Sequence, residues 1–139
     1  MNQNQLAVFC ETRKDPIGID NPAPRFSWHP DTSSVCREQE SYRITVEKGR
    51  TCVWDSGEVH SRAATMVPYA GRAPESFTVY RFTVRSRLTD GSVWQGSGTF
   101  ETGILRREEW QGDFLCYPAY EKRMSPVFLY RFSVEREVV

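Results

Sequence analysis

Apolar and polar residues alternate along much of this chain with the period of two that a half-buried β-strand requires. In residues 41–47, Tyr42, Ile44 and Val46 alternate with Arg43, Thr45 and Glu47. The longest such run, residues 78–88, sets Tyr80, Phe82, Val84 and Leu88 against Arg81, Thr83, Arg85 and Arg87, and it predicts a central strand. Asp90-Gly91 follows, a hairpin signal because glycine tolerates positive φ, so a return strand is expected within Trp94–Thr102. Shorter strands are predicted near residues 6–10, 25–28, 52–55 and 64–68. Asp15-Pro16-Ile17-Gly18, Asn21-Pro22-Ala23-Pro24, Gly57, Gly71 and Pro74 punctuate them. Only residues 105–111 have scope for a helical turn or two. About seven short strands with polar connections and no long helix predict an all-β fold, an antiparallel β-sandwich.

The chain has 139 residues, enough to bury roughly two-thirds of its unfolded surface without disulfides or metals. Its 18 Lys and Arg balance 18 Asp and Glu. That balance argues against a general nucleic-acid or anionic-membrane binder. Aromatic residues at 13% exclude a disordered chain. No apolar stretch approaches the roughly 18 residues of a membrane span, and Met1-Asn2-Gln3-Asn4-Gln5 lacks the basic and apolar regions of a signal peptide, so the chain reads as cytoplasmic. Cys10, Cys36, Cys52 and Cys116 have no CxxC spacing and only His29 and His60 could join them, so reduced thiols and no metal are expected. Cys52, beside Val53 and Trp54, reads as a core or boundary residue.

Three segments are expected. Residues 1–103 form the sandwich, 104–126 a connector, and 127–139 the first strand of a following, truncated sandwich. Val127, Leu129, Tyr130, Phe132 and Val134 put apolar or aromatic groups on both faces of that last run. Such a strand needs a partner, and without the next module it has three outcomes: disorder, folding back along an edge of the first sandwich, or pairing with another copy of the chain through Val127–Val134, with the fold-back expected ahead of the exchange.

Asp15-Pro16-Ile17-Gly18-Ile19-Asp20, Pro24-Arg25-Phe26-Ser27-Trp28, Gln39-x-x-Tyr42-Arg43-Ile44-x-Val46 and Trp54-Asp55-Ser56-Gly57-x-Val59 stand in this order, followed by Phe100-Glu101-Thr102-Gly103 and Trp110-Gln111-Gly112. In register, these fragments resemble the amino-terminal region of bacterial alpha-L-rhamnosidases (glycoside hydrolase family 78). Phe82 departs from the tryptophan expected there, and Arg72-Ala73-Pro74 lacks the usual leucine. The resemblance implies a fibronectin type III, immunoglobulin-like sandwich with Trp28 buried in its second strand. It also implies a non-catalytic accessory module whose parent cleaves terminal alpha-L-rhamnose by inversion in a later (α/α)6 barrel, with the downstream domains as its partners.

An inverting glycosidase needs two carboxyl groups roughly 6.5–9.5 Å apart, one of them protonated. Adjacent Glu108 and Glu109 diverge, and Asp55, Glu58 and Asp90 sit in turn contexts, so no catalytic residue is assigned. His29 and His60 read as loop residues without a nucleophile setting, and the glycines form no phosphate loop, so no cofactor is assigned either. Trp54, Trp94, Trp110 and Tyr117 are the candidates for carbohydrate or interdomain contact, because exposed rings stack on sugars but sandwiches also consume aromatics internally. Arg81, Arg85 and Arg87 form a basic stripe, read as a solvated or salt-bridged face, or as a contact with acidic residues of another domain. The alternatives to the accessory module are an independent carbohydrate-binding sandwich and an adhesion or spacer module.

Overall fold

The computed structural model describes residues 4–31, 38–113, 115 and 127–135. Its seven strands are β1 (Leu6–Cys10), β2 (Arg25–Pro30), β3 (Gln39–Lys48), β4 (Thr51–Asp55), β5 (Val67–Pro68), β6 (Val79–Leu88) and β7 (Val93–Glu101). A 3-10 turn at Arg107–Glu109 follows them. One sheet has the order β1-β2-β5 and the other β4-β3-β6-β7, and every pairing within them is antiparallel. This is the antiparallel β-sandwich that the alternation predicts, in the immunoglobulin-like form that the resemblance implies.

The inward positions make one core. Phe26 of β2 is fully buried and its ring lies 4.8 Å from Phe82 of β6 and 6.1 Å from Phe100 of β7, bridging the two sheets. Trp28 crosses the same gap to Tyr42 at 5.1 Å, and Tyr80 stacks on Phe100 at 5.1 Å. One polar residue joins this contact. Gln39 Oε1 accepts hydrogen bonds from Trp28 Nε1 and from the buried Ser86 hydroxyl, each 2.8 Å, while its Nε2 donates to the carbonyls of Ser61 and Ala63. The buried Trp28 indole and Ser86 hydroxyl would otherwise be costly to remove from water.

The sheet edges are managed differently. Along β7, a parallel bridge joins Gln5 to Gln95, Asp15 Oδ1 accepts from the Thr99 amide at 2.8 Å, and Ile19 bridges Thr102. The opening segment thus covers the edge that would otherwise recruit strands. It passes so closely that a Cβ on Gly96 would lie 2.4 Å from the Leu6 carbonyl oxygen, which is why glycine stands there. The hairpin turn also behaves as expected: Gly91 has φ +81°, and the Ser92 amide donates to Asp90 Oδ1 at 2.9 Å.

Several expectations need correction. The strand expected at 64–68 shrinks to Val67–Pro68, where Met66 takes a positive φ of 54° and proline ends the ladder. The return strand expected within Trp94–Thr102 runs from Val93 to Glu101, with Gly96 and Gly98 inward between Trp94 and Phe100. His29 is a strand residue, exposed and stacked on Phe9 at 5.4 Å, not a loop residue. Cys52 is exposed on edge strand β4 rather than in the core; Cys10 is the buried thiol, pushed up to about 12 by burial and by neighbouring Glu11. Cys36 and Cys116 lie outside the described residues. Residues 127–134 carry no strand assignment, and their apolar side chains are exposed, Val127 at 92% and Tyr130 at 85%, so no fold-back onto the sandwich edge is seen.

This packing separates inside from outside on single strands. Trp28→Ala removes a 4%-exposed ring and leaves Gln39 without its indole donor, so urea unfolding should show a loss of about 3–5 kcal/mol. Arg81→Ala, on the outer face of β6, should cost under about 0.5 kcal/mol. Equal losses would refute the assigned faces.

Candidate functional site

Five carboxylates, Glu11, Asp55, Glu58, Glu75 and Glu109, are held ionised by their partners. Asp55 accepts Nε and Nη2 of Arg43 and the Gly57 amide, and these bonds lower its pKa to about 2. Glu58 accepts from the Ser41 hydroxyl at 2.8 Å and lies 3.5 Å from Arg87; the hydroxyl first, and the guanidinium after it, hold its carboxyl below the usual range. Glu11 is lowered by its bonds from Arg25, Glu75 by Lys48, and Glu109 by Ser76 and then Arg106. Each of these displaced carboxyls moves down, whereas the general acid of a glycosidase needs a raised pKa to stay protonated. Among the described residues, no three His, Cys, Asp or Glu side chains gather as a metal site.

The aromatic candidates are dispersed. Trp94 is 3% exposed on the inner face of β7, so its ring meets core side chains and is unavailable to a ligand or another domain; its indole Nε1 has no hydrogen-bond partner among the described residues. Trp54, on β4, is half-buried: it stacks towards Phe26 at 6.4 Å and meets Tyr69 edge-on at 4.9 Å. Trp110 is 54% exposed just after the 3-10 turn, and its Nε1 donates to the Gly112 carbonyl. Tyr117 lies outside the described residues.

Trp110 belongs to a structured surface at the end where the chain leaves the sandwich. Thr102, 1% exposed, donates its hydroxyl to the Glu75 carbonyl at 2.6 Å and accepts the Thr78 amide at 3.0 Å. The Leu105 amide then donates to Ser76 Oγ at 2.9 Å, the Ser76 hydroxyl donates to Glu109, and Arg106 donates to the same carboxylate. This clasp fixes residues 102–110 against the loop before β6. One recess, lined by Ile104, Leu105, Arg106, Arg107 and Trp110, opens beside the connector; a second, lined by Tyr69, Pro74, Glu75 and Leu105, opens between connector and sandwich. Trp54 lines neither. The clasp was hidden in the sequence because its members, Ser76, Thr102 and Glu109, are short polar or charged residues in segments without periodicity.

Residues 6–106 match the family model of the Rha78A-like, N-terminal immunoglobulin domain. An alpha-L-rhamnosidase of Streptomyces avermitilis is 33% identical over 111 residues, covering 75% of this chain and 11% of that protein. An alpha-L-rhamnosidase of an Alteromonas species is 28% identical over 145 residues, covering 90% of this chain and 16% of that protein. The crystal structure of the Streptomyces avermitilis enzyme complexed with L-rhamnose superimposes with a TM-score of 0.73 at 30% identity, over 82% of this chain and 12% of that one. The alpha-L-rhamnosidase from Dictyoglumus thermophilum gives 0.66 at 28% identity, over 76% and 13%. The chain thus spans only a small fraction of the relatives it matches, and the family model it matches is that of an N-terminal domain. This chain belongs to the family of Rha78A-like, N-terminal immunoglobulin domains.

Proposed function

We propose that this chain is the non-catalytic amino-terminal module of a larger alpha-L-rhamnosidase that removes terminal alpha-L-rhamnose from glycosides. The observation that carries this is the match of a whole sandwich, residues 6–106, to the amino-terminal immunoglobulin domain of enzymes of which it makes up little more than a tenth. The downward-shifted surface carboxylates accord with it, since none of them suits a proton donor at neutral pH. In the parent, the clasped connector sets the direction in which the next module leaves the sandwich. The apolar run at 127–134 is the first strand of that module. Where the rest of the module is missing, its exposed apolar groups pair with a second copy of the chain. Trp110 is an interdomain contact in this arrangement, because it stands on the connector itself.

Two measurements test the proposal. Incubated with an aryl alpha-L-rhamnoside, the purified chain should show no turnover under conditions where the full-length enzyme is active. Enzyme-level turnover that copurifies with the chain would overturn the non-catalytic assignment. In sedimentation velocity, the intact chain should associate as its concentration rises, while a variant lacking residues 126–139 stays monomeric with an unchanged urea midpoint. Undiminished association after the deletion would overturn pairing through 127–134, and an unfolded deletion variant would place that segment in the first core.

A further inference from the structure

The outer face of the four-stranded sheet concentrates guanidinium groups. Arg43 of β3 stands directly opposite Arg85 of β6, and Arg87 follows two residues along the same face. Two like charges directly opposite each other destabilise a strand pair unless something compensates them. The compensation is incomplete. Asp55 takes Arg43 through two hydrogen bonds, and Glu58 lies 3.5 Å from Arg87 while accepting from Ser41 at 2.8 Å. Arg85 has no carboxylate partner among the described residues, although it is exposed. Arg43, Arg85 and Arg87 together line a recess of about 190 Å³, with Ser41 and Glu58 on one side and half-buried Val93 at its end.

We infer that this recess is a docking surface for an extended acidic polypeptide segment, with Arg85 as its principal carboxylate-binding group. A guanidinium offers a rigid fork that fits a carboxylate with two parallel hydrogen bonds. Arg85 and Arg87 are alternate residues of one strand, so their Cα atoms are about 6.8 Å apart, the spacing of alternate side chains in any extended peptide. An acidic strand with carboxylates at every second residue therefore meets both in register, with Val93 beside Arg87 on the same face. Charge and spacing favour a polypeptide over an acidic polysaccharide, because no exposed aromatic ring lines the recess to stack on a sugar face. The neighbouring Thr83 and Ser97 hydroxyls, bonded to each other at 2.9 Å, extend the polar floor across to β7.

The test uses the full chain and a blocked hexapeptide of alternating Thr and Glu, followed by backbone amide shifts. A Thr-Gln hexapeptide and an oligogalacturonate serve as comparisons. Saturable shifts centred on Arg43, Arg85, Arg87 and Val93, weakened by salt and absent with the Gln peptide, are expected. Arg85→Gln should weaken binding about tenfold, the loss of one charge-assisted pair. Arg85→Lys should fall between, since an ammonium keeps the charge without the fork. Both variants should keep the parent spectrum elsewhere. An equal response to the Gln peptide, unchanged affinity in Arg85→Gln, or tighter binding of oligogalacturonate than of the Glu peptide would each overturn the assignment.

Discussion

The contact of one phenylalanine with two others across the gap between sheets organises this molecule. Phe26 is one of two inward aromatics of β2, and Phe82 and Phe100 face it from β6 and β7. Tyr80 backs Phe100, while Trp54 and Tyr69 close the cluster at the β4 edge. Aromatic pairs in offset or tilted geometry are worth about 0.5–1.5 kcal/mol beyond their buried area, so this cluster fixes the relative placement of the sheets as well as their burial. The rest follows from that placement. The opening strand can cross to cover the β7 edge only because Gly96 lets the Leu6 carbonyl approach, and the Gln39 hub can reach Trp28 only because β2 and β3 face each other at this distance.

Filling the inside with aromatic rings leaves the chemistry to the outside. The four-stranded sheet presents its arginines to solvent because the pleat sends every second side chain of β6 outward, and the surface carboxylates settle beside those cations and beside hydroxyl or amide donors. They become structural anions rather than proton donors. Two surface features follow: the guanidinium recess on the flat of the sheet, and the clasp at the exit, where Ser76, Arg106 and Glu109 tie residues 102–110 to the sandwich.

Much of this was legible from alternation alone. Residues 41–47 and 78–88 announced their inward and outward faces, and the Asp90-Gly91 turn announced the hairpin that joins β6 to β7. Ser86, inward on β6, escaped notice because a hydroxyl breaks the apolar pattern, and it is buried only through its bond to Gln39. Gln39 stands at the head of one fragment of the resemblance, but alternation gives no sign of its four hydrogen bonds. Trp94 was kept as a contact candidate because the inward glycines at 96 and 98 erase the parity that links it to Phe100. Backbone amides that donate across long sequence separations, such as Thr99 to Asp15 and Leu105 to Ser76, leave no periodic trace at all. The family resemblance carried by Pro24–Trp28, Trp54–Gly57 and Phe100–Gly103 was readable because those fragments bracket the core-forming aromatics.

Phe26 and Phe82 act together to lock the two sheets, and a double-mutant cycle in urea separates that coupling from plain burial. Phe26→Leu and Phe82→Leu should each destabilise the domain, and the double variant should lose less than the sum of the two, with a coupling of about 0.5–1.5 kcal/mol. Losses that add to within about 0.3 kcal/mol would mean that the rings stabilise the module only by separate burial, and would contradict the account.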